Sequence, residues 1–239
     1  MNRFFAESIV DENITLSGED INHIVNVLRL KTGERIIVSD GLGHDYVCEI
    51  AEIGKKSIGL KVIENFRNEA EPYVNITLFQ GIPKLDKMEL IIQKCVELGV
   101  SRFVPVETRR AVVKIKDNKK TDRWQKIAEA AAKQSGRGIV PTVTESVSFK
   151  KALWEMAGFD LALMPYEMEK AQRIKDVWPK ENVKNVAIFI GPEGGIDDTE
   201  ALECAEKGVV PVTLGKRILR TETAGFAAVI LLLNELGEM

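Results

Sequence analysis

The sequence predicts an α/β protein preceded by a small β-rich domain. Three observations carry this. From residue 73 onward, short apolar runs alternate with helical segments, the pattern of a mostly parallel sheet covered by helices. Before residue 70 the chain holds several strand-like runs and one helix. Two late strands, residues 186–190 (VAIFI) and 209–214 (VVPVTL), each run into a glycine-bearing loop and then a helix. In open α/β sheets, ligands bind outside the carboxyl ends of strands. The active site is therefore expected at these two loops.

Taken in order, residues 3–6 read as a strand. Ser17-Gly18-Glu19-Asp20 resembles a capping box, opening a helix that ends near residues 30–33. Ile21, Ile24, Val25 and Leu28 fall on one face of it at helical spacing. Residues 35–39, 45–53 and 57–63 read as strands, with turns at 40–43 and 54–56. Several strands with one short helix predict a small barrel over residues 1–70. The polar run 67–72 (RNEAEP) reads as an interdomain linker before a second domain over 73–239.

In that second domain, residues 74–80 and 102–106 read as strands. Between them lies a helix over 84–98, its stripe made by Met88, Ile91, Ile92, Cys95, Val96 and Leu98 and its end capped by Gly99. An alanine-rich helix is expected near 122–135, another over 149–156, an apolar strand over 159–164 and a final helix over 222–236.

The loop Gly191-Pro192-Glu193-Gly194-Gly195 combines a stiff turn with glycines that let the backbone approach a ligand. Asp197 can cap the next helix, with Glu200 three residues on as in a capping box. The second loop offers Gly215 among apolar Leu214, Ile218 and Leu219, which suits a flat, partly apolar ligand such as an adenine ring held by backbone hydrogen bonds. Each loop alone reads as an ordinary βα turn; together, with Arg220-Thr221-Glu222-Thr223 adjacent, they read as a site.

These motifs, GPEGG followed by LGKRILRTETA, together with residues 84–100 (KLDKMELIIQKCVELGV) and 129–141 (EAAAKQSGRGIVP), closely resemble the ribosomal RNA small-subunit methyltransferase E family, over nearly the whole chain. Lys133 departs from the acidic or neutral residue expected before Gln134. The resemblance implies a PUA-like RNA-binding β-barrel, a SPOUT (α/β-knot) domain with a trefoil knot, a homodimer, and S-adenosylmethionine as cofactor. It implies methylation of N3 of a uridine in small-subunit (16S) ribosomal RNA, free or assembled. Alternatives are methylation of a ribose 2′-hydroxyl and a non-catalytic RNA-binding adaptor. Cofactor contacts are implied for Leu163, Met164, Pro165, Ile190, Gly191, Gly195, Leu214, Gly215, Ile218, Leu219 and Thr223. RNA contacts are implied for Arg3, Arg29, Lys87, Arg109, Arg110, Gln134 and Arg137. Catalytic candidates are Arg220, for charge stabilisation, and Glu193 and Glu222 as proton acceptors; a bracing ion pair between Arg220 and either glutamate is an equal reading.

Composition fits this frame. The 239 residues carry a net charge of -3, yet residues 102–137 hold 11 Lys and Arg against 4 Asp and Glu. One basic segment in an acidic chain is a candidate footprint for a polyanion, or else a solvated face. Gln134 and Arg137, three apart, are expected to share a face there. Cys48, Cys95 and Cys204 stand far apart in apolar contexts and read as buried free thiols. Arg3 leads into a mixed acidic segment rather than an apolar run, so no signal peptide is expected. The apolar run 224–233 is too short to span a bilayer and reads as a core or interface helix, which places the protein in the cytoplasm. No GxxxxGK[ST], GxGxxG, HExxH or GxSxG motif occurs, and His23 and His44 lack a ligand set, so no metal is expected.

Overall fold

The computed structural model describes all residues except 7, 8, 11, 12, 113–118 and 179–181. The chain forms two compact units, one of residues 1–71 with 132–140, the other of residues 72–131 with 141–239.

The first unit holds β1 (Arg3–Phe5), β2 (Ile9–Val10), β3 (Asn13–Ser17), α1 (Glu19–Asn22), a π-helical turn (His23–Val27), β4 (Arg35–Ser39), β5 (His44–Ile53) and β6 (Ser57–Arg67). The strands form one sheet in the order β1-β4-β5-β6-β3-β2. Only the β1–β4 pairing is parallel. Alternating residues turn inward, as the period of a half-buried strand requires. Phe4, Ile14, Leu16, Ile36, Cys48, Ile50, Ile58 and Leu60 thereby close one core, with Ile24 from the helix. The expected small barrel is present as this curled sheet. Two expectations change. Residues 13–17 form a strand that the capping-box pattern hid, and the helix after it is one α turn followed by the π turn rather than a continuous helix to residue 30.

The polar run 67–72 is not a solvated tether. Arg67 ends β6, paired with His44. Asn68 is buried and donates to Asp45 Oδ2 at 2.7 Å and to the Gly136 carbonyl at 3.0 Å. Glu71 accepts from Arg137 Nη2 at 2.6 Å and from the amides of Gly138 and Ile139, each at 3.1 Å. Arg137 is only 2% exposed and Gln134 is exposed, so the two do not share a face. Arg3 is likewise turned inward, on Asp45. Lys133, the departure from the family pattern, pairs with Asp20 at 3.2 Å. His23 stands edge-on to Phe4, and His44 lies 3.8 Å from Asp40.

The second unit holds β7 (Asn75–Gly81), α2 (Lys87–Glu97), β8 (Arg102–Glu107), α3 (Lys119–Ser135, whose residues from 132 on belong to the first unit), β9 (Thr142–Val143), β10 (Val147–Ser148), α4 (Phe149–Met156), β11 (Leu161–Pro165), α5 (Ile174–Val177), β12 (Asn185–Ile190), α6 (Asp198–Glu206), β13 (Val210–Val212) and α7 (Thr221–Glu235). Its sheet runs β10-β8-β7-β12-β11-β13, with β9 also on β8, and every pairing is parallel. Phe79, Val104, Phe149, Met164, Phe189 and Ile196 fill one side of the core. Gly99 ends α2 at φ +98°, a conformation that favours glycine. No helix among the described residues is long and apolar enough to cross a membrane. All three thiols are free and buried. Burial pushes Cys48 up to about 11 and raises Cys95 further; burial, then Glu200 and Glu203, push Cys204 up to about 12.

A buried ion pair that loses one partner leaves the other charge stranded, at a cost of about 3–5 kcal/mol. Arg137→Met should therefore lower the unfolding free energy by about 3 kcal/mol in a urea titration. A loss below about 1 kcal/mol would place Arg137 outside the framework of its unit.

Candidate active site

β11 lies between β12 and β13, so the three carboxyl ends stand side by side and their loops meet. Between these loops is a cavity of about 500 Å³, within the range of small-molecule sites. One wall is residues 190–196, a second is 165–167 with 169 and 170, and a third is 213–221 with Ala224. Lys87 enters from the first turn of α2.

The shape of the first loop is forced by close contacts. A Cβ on Gly81, at the end of β7, would stand 2.6 Å from Pro192 Cδ, and one on Gly191 would stand 2.8 Å from Ile196 Cγ1. The loop closes through the Gly195 amide, which donates to the Pro192 carbonyl at 2.9 Å. Gly195 has φ +71°, and its added Cβ would lie 2.5 Å from Glu167 Oε1. Asp197 caps α6, accepting from the Thr199 amide at 3.1 Å. Glu200 is buried, which raises its proton affinity against the opposing amides of Arg109 and Asp197.

The loop is tied to the sheet and to α7 by one buried chain of hydrogen bonds. Gln80, fully buried at the end of β7, donates through Nε2 to Thr221 Oγ1 at 2.9 Å. Thr221 Oγ1 donates in turn to the Gly191 carbonyl at 2.6 Å. In the second loop, Thr213 Oγ1 accepts from the Gly215 amide at 3.2 Å, while Ile218 is 88% exposed. An isoleucine left that open at a cavity wall is apolar surface available to a ligand.

Charge is arranged asymmetrically. Lys87 Nζ lies 3.1 Å from Glu193 Oε1 and 3.4 Å from Glu222 Oε2. The bond to Glu193 raises the Lys87 pKa, with burial opposing and Glu222 adding to the rise. Burial pushes Glu193 up, but its own amide, Lys87 and the Lys84 amide outweigh it and hold the carboxyl below the ordinary range. Arg220 is exposed at the helix start, lines the cavity, and makes no ion pair among the described residues. The glutamates that could have braced it are held by Lys87 instead. Outside the cavity, Arg109 Nη1 donates to Asp197 Oδ1 at 3.3 Å and Arg110 Nη1 to the Gly194 carbonyl at 3.2 Å.

Of the cofactor-contact positions, Pro165, Ile190, Gly191, Gly195, Leu214, Gly215, Ile218 and Leu219 line the cavity. Leu163, Met164 and Thr223 do not: the first two are buried inside β11, and Thr223 is exposed on α7. Glu193 and Arg220 line it; Glu222 stands behind Lys87. Lys87, expected on RNA, is part of this cavity. Arg29, Arg109, Arg110 and Gln134 are exposed, whereas Arg3 and Arg137 are taken by carboxylates. Residues 113–118 of the basic segment lie outside the described residues. The second wall beyond Pro165, made by Tyr166 with Glu167, Glu169 and Lys170, is not among the positions expected from the sequence. Its signal was present: the strand ending at Pro165 opens onto Tyr166 and Glu167, but only the sheet order puts that strand between the two motif strands.

Comparison with known proteins gives this geometry a family. Residues 69–233 match the RNA methyltransferase domain model and residues 16–63 the RNA methyltransferase PUA domain model. The ribosomal RNA small subunit methyltransferase E of Bacillus subtilis (strain 168) is 37% identical, over 94% of this chain and 93% of its own. That of Mesomycoplasma hyopneumoniae (strain 232) is 32% identical, over 94% and 95%. The crystal structure of a ribosomal RNA small subunit methyltransferase E from Neisseria gonorrhoeae bound to S-adenosyl methionine superposes with a TM-score of 0.89 at 32% identity, covering 98% of this chain and 97% of that one. A motif pair at strand ends flanking β11, a domain match over most of the second unit and full-length relatives agree, and the chain belongs to the ribosomal RNA small subunit methyltransferase E family.

Proposed function

We propose that this protein transfers the methyl group of S-adenosylmethionine to N3 of a uridine in small-subunit ribosomal RNA. The observation that carries the reading is the cavity at the three strand ends, walled by both motif loops. The residues present fit that cofactor. Gly195 and Gly215 have φ +71° and +114°, so their backbones face the cavity without a side chain. Leu214, Ile218 and Leu219 would hold the adenine, and Glu167 is placed beside Gly195 to accept from a hydroxyl or ammonium group. The cofactor, when bound, supplies an electrophilic methyl on a sulfonium, chemistry that calls on no metal.

The chain must then orient the uridine and stabilise its charge. Uridine N3 carries a proton and becomes a good nucleophile only as that proton leaves, with negative charge spreading onto O2 and O4. The Arg220 guanidinium, free of carboxylate partners, is positioned to meet that charge, which is electrostatic catalysis. Arginine keeps its own proton, so it stabilises without accepting. Glu193 is a poor proton acceptor, because the cation and amides around it favour its ionised form. Glu222, 3.4 Å from the same lysine and outside the cavity lining, is no better placed.

Two tests follow from this reading. In-vitro methylation of small-subunit particles, with nucleoside mass spectrometry, should give 3-methyluridine; a 2′-O-methyl product would move the chemistry to ribose, and no product would leave an RNA-binding adaptor. In the same assay under single turnover, Arg220→Ala should slow transfer by roughly 100-fold or more with both affinities nearly intact. A fall in cofactor affinity matching the fall in rate would make Arg220 a scaffold residue. A separate test concerns assembly. On α7, Ile230 and Leu231 are 42% and 40% exposed, and Leu90 on the packed α2 is 42% exposed. We assign this apolar face to a homodimer. Sedimentation should give twice the chain mass, and Ile230→Glu with Leu231→Glu should give a monomer; a monomeric wild type at micromolar concentration contradicts the assignment.

A further inference from the structure

Trp154 is 81% exposed on α4, in the middle of a helix whose other face is fully used. Phe149, Ala152, Leu153 and Met156 are all buried in the core of the unit. Trp154 stands outside that core and leaves a large aromatic surface in water. Its neighbours on the solvent face are cations. Lys150 is one turn before it at four residues and Lys151 at three, so both share its side of the helix, and both are exposed. The one acid in the helix, Glu155, is taken by Arg102.

The sheet fixes where this face lies. β10 pairs in parallel with β8, Val147 beside Val106 and Ser148 beside Glu107. α4 begins at the next residue, so Lys150 and Lys151 stand at the carboxyl end of β8, the end from which Arg109 and Arg110 emerge. Glu155, a turn and a half along, reaches Arg102 at the amino end of β8, so α4 runs back along that strand. Trp154 lies on this return path. The ion pairs of Arg109 and Arg110 are exposed or half-exposed contacts to Asp197 and Asp198 at 3.3–3.9 Å, with Arg110 also donating to the Gly194 carbonyl, and exposed pairs of that kind give way readily to a polyanion.

We infer that the exposed face of α4 is an RNA-stacking platform: an unpaired base of the substrate RNA stacks on Trp154 while Lys150 and Lys151 take the flanking phosphates, extending a track that starts at Arg109 and Arg110. The inference rests on the methyltransferase reading for its partner. Its chemistry is that of single-strand binding surfaces, where aromatic rings hold bases and a basic groove follows the backbone. Such contacts lie away from the reacting uridine and supply affinity and register, not chemistry.

The test uses the full chain and in-vitro transcribed small-subunit ribosomal RNA. Trp124 is buried and Trp178 is half-buried, so exposed tryptophan emission comes mainly from Trp154. Titrating RNA into the wild type should quench that emission. Trp154→Ala should weaken binding roughly tenfold, and Trp154→Phe, which keeps a ring, should recover most of the affinity. Lys150→Gln with Lys151→Gln should flatten the salt dependence by about 1.4–1.8 in slope, for two lost phosphate contacts. All three positions are exposed, so folding and S-adenosylmethionine affinity should stay at wild-type values. Wild-type RNA affinity and slope in Trp154→Ala and in the double lysine variant would overturn the platform while leaving the methyltransferase reading intact. So would a Trp154→Ala effect confined to sedimentation mass, which would assign the face to a second copy. A wild type that binds the cofactor but no RNA would overturn both.

Discussion

The Thr221 hydroxyl, between Gln80 Nε2 and the Gly191 carbonyl, is the contact on which the cavity depends. It joins the end of β7, the first loop after β12 and the first residue of α7, three segments far apart in sequence. It is largely shielded from water: Gln80 is fully buried and Thr221 is 6% exposed. A buried amide or hydroxyl deprived of its partner costs about 1–3 kcal/mol, so the three groups hold one another in place. Close steric contacts support the same geometry, with Gly81 against Pro192 and Gly191 against Ile196, leaving the loop one way to leave the sheet. A site for the proposed reaction, which has to align a methyl donor with its acceptor, gains from such rigidity, because orientation can supply several kcal/mol of a barrier.

Electrostatics divides the same region into held and free charge. Lys87 ties Glu193 to Glu222, which fixes the loop beside the start of α7 and leaves Arg220 as a guanidinium facing the cavity. At the outer edge, Arg109 and Arg110 rest on the acidic cap of α6, and Arg110 also holds the Gly194 carbonyl. An acidic protein can thus present cations locally on the proposed RNA-facing edge, with little long-range attraction from its total charge.

Much of this was legible in the sequence for physical reasons. α2 and α4 declare themselves because burial of one face imposes the helical period, and β7, β12 and α7 because they are continuous apolar runs. The two motif loops were legible because glycine at a strand end signals a backbone constraint. Short elements were not: β9 and β10 have two residues each and α5 has four, too few for any period to register. β3 was hidden because Ser17, its last residue, also begins a capping-box pattern. The run 67–72 and Arg137 misled for a common cause: polar composition normally signals solvent, and here the polar groups satisfy one another in a buried network. Leu163 and Met164 belong to the right strand, but its side chains fill the core and only its end reaches the cavity. The knot that the resemblance implies is a property of the chain path, which no local pattern encodes.

The most direct measurement of the account is calorimetric affinity for S-adenosylmethionine in Thr221→Val. Valine keeps the shape and removes the hydroxyl that donates to Gly191 and accepts from Gln80. If this contact sets the cavity, affinity should fall by about tenfold or more, with the secondary structure unchanged by circular dichroism. Wild-type affinity in a folded Thr221→Val protein would show that the loops hold their geometry without it and would contradict the account.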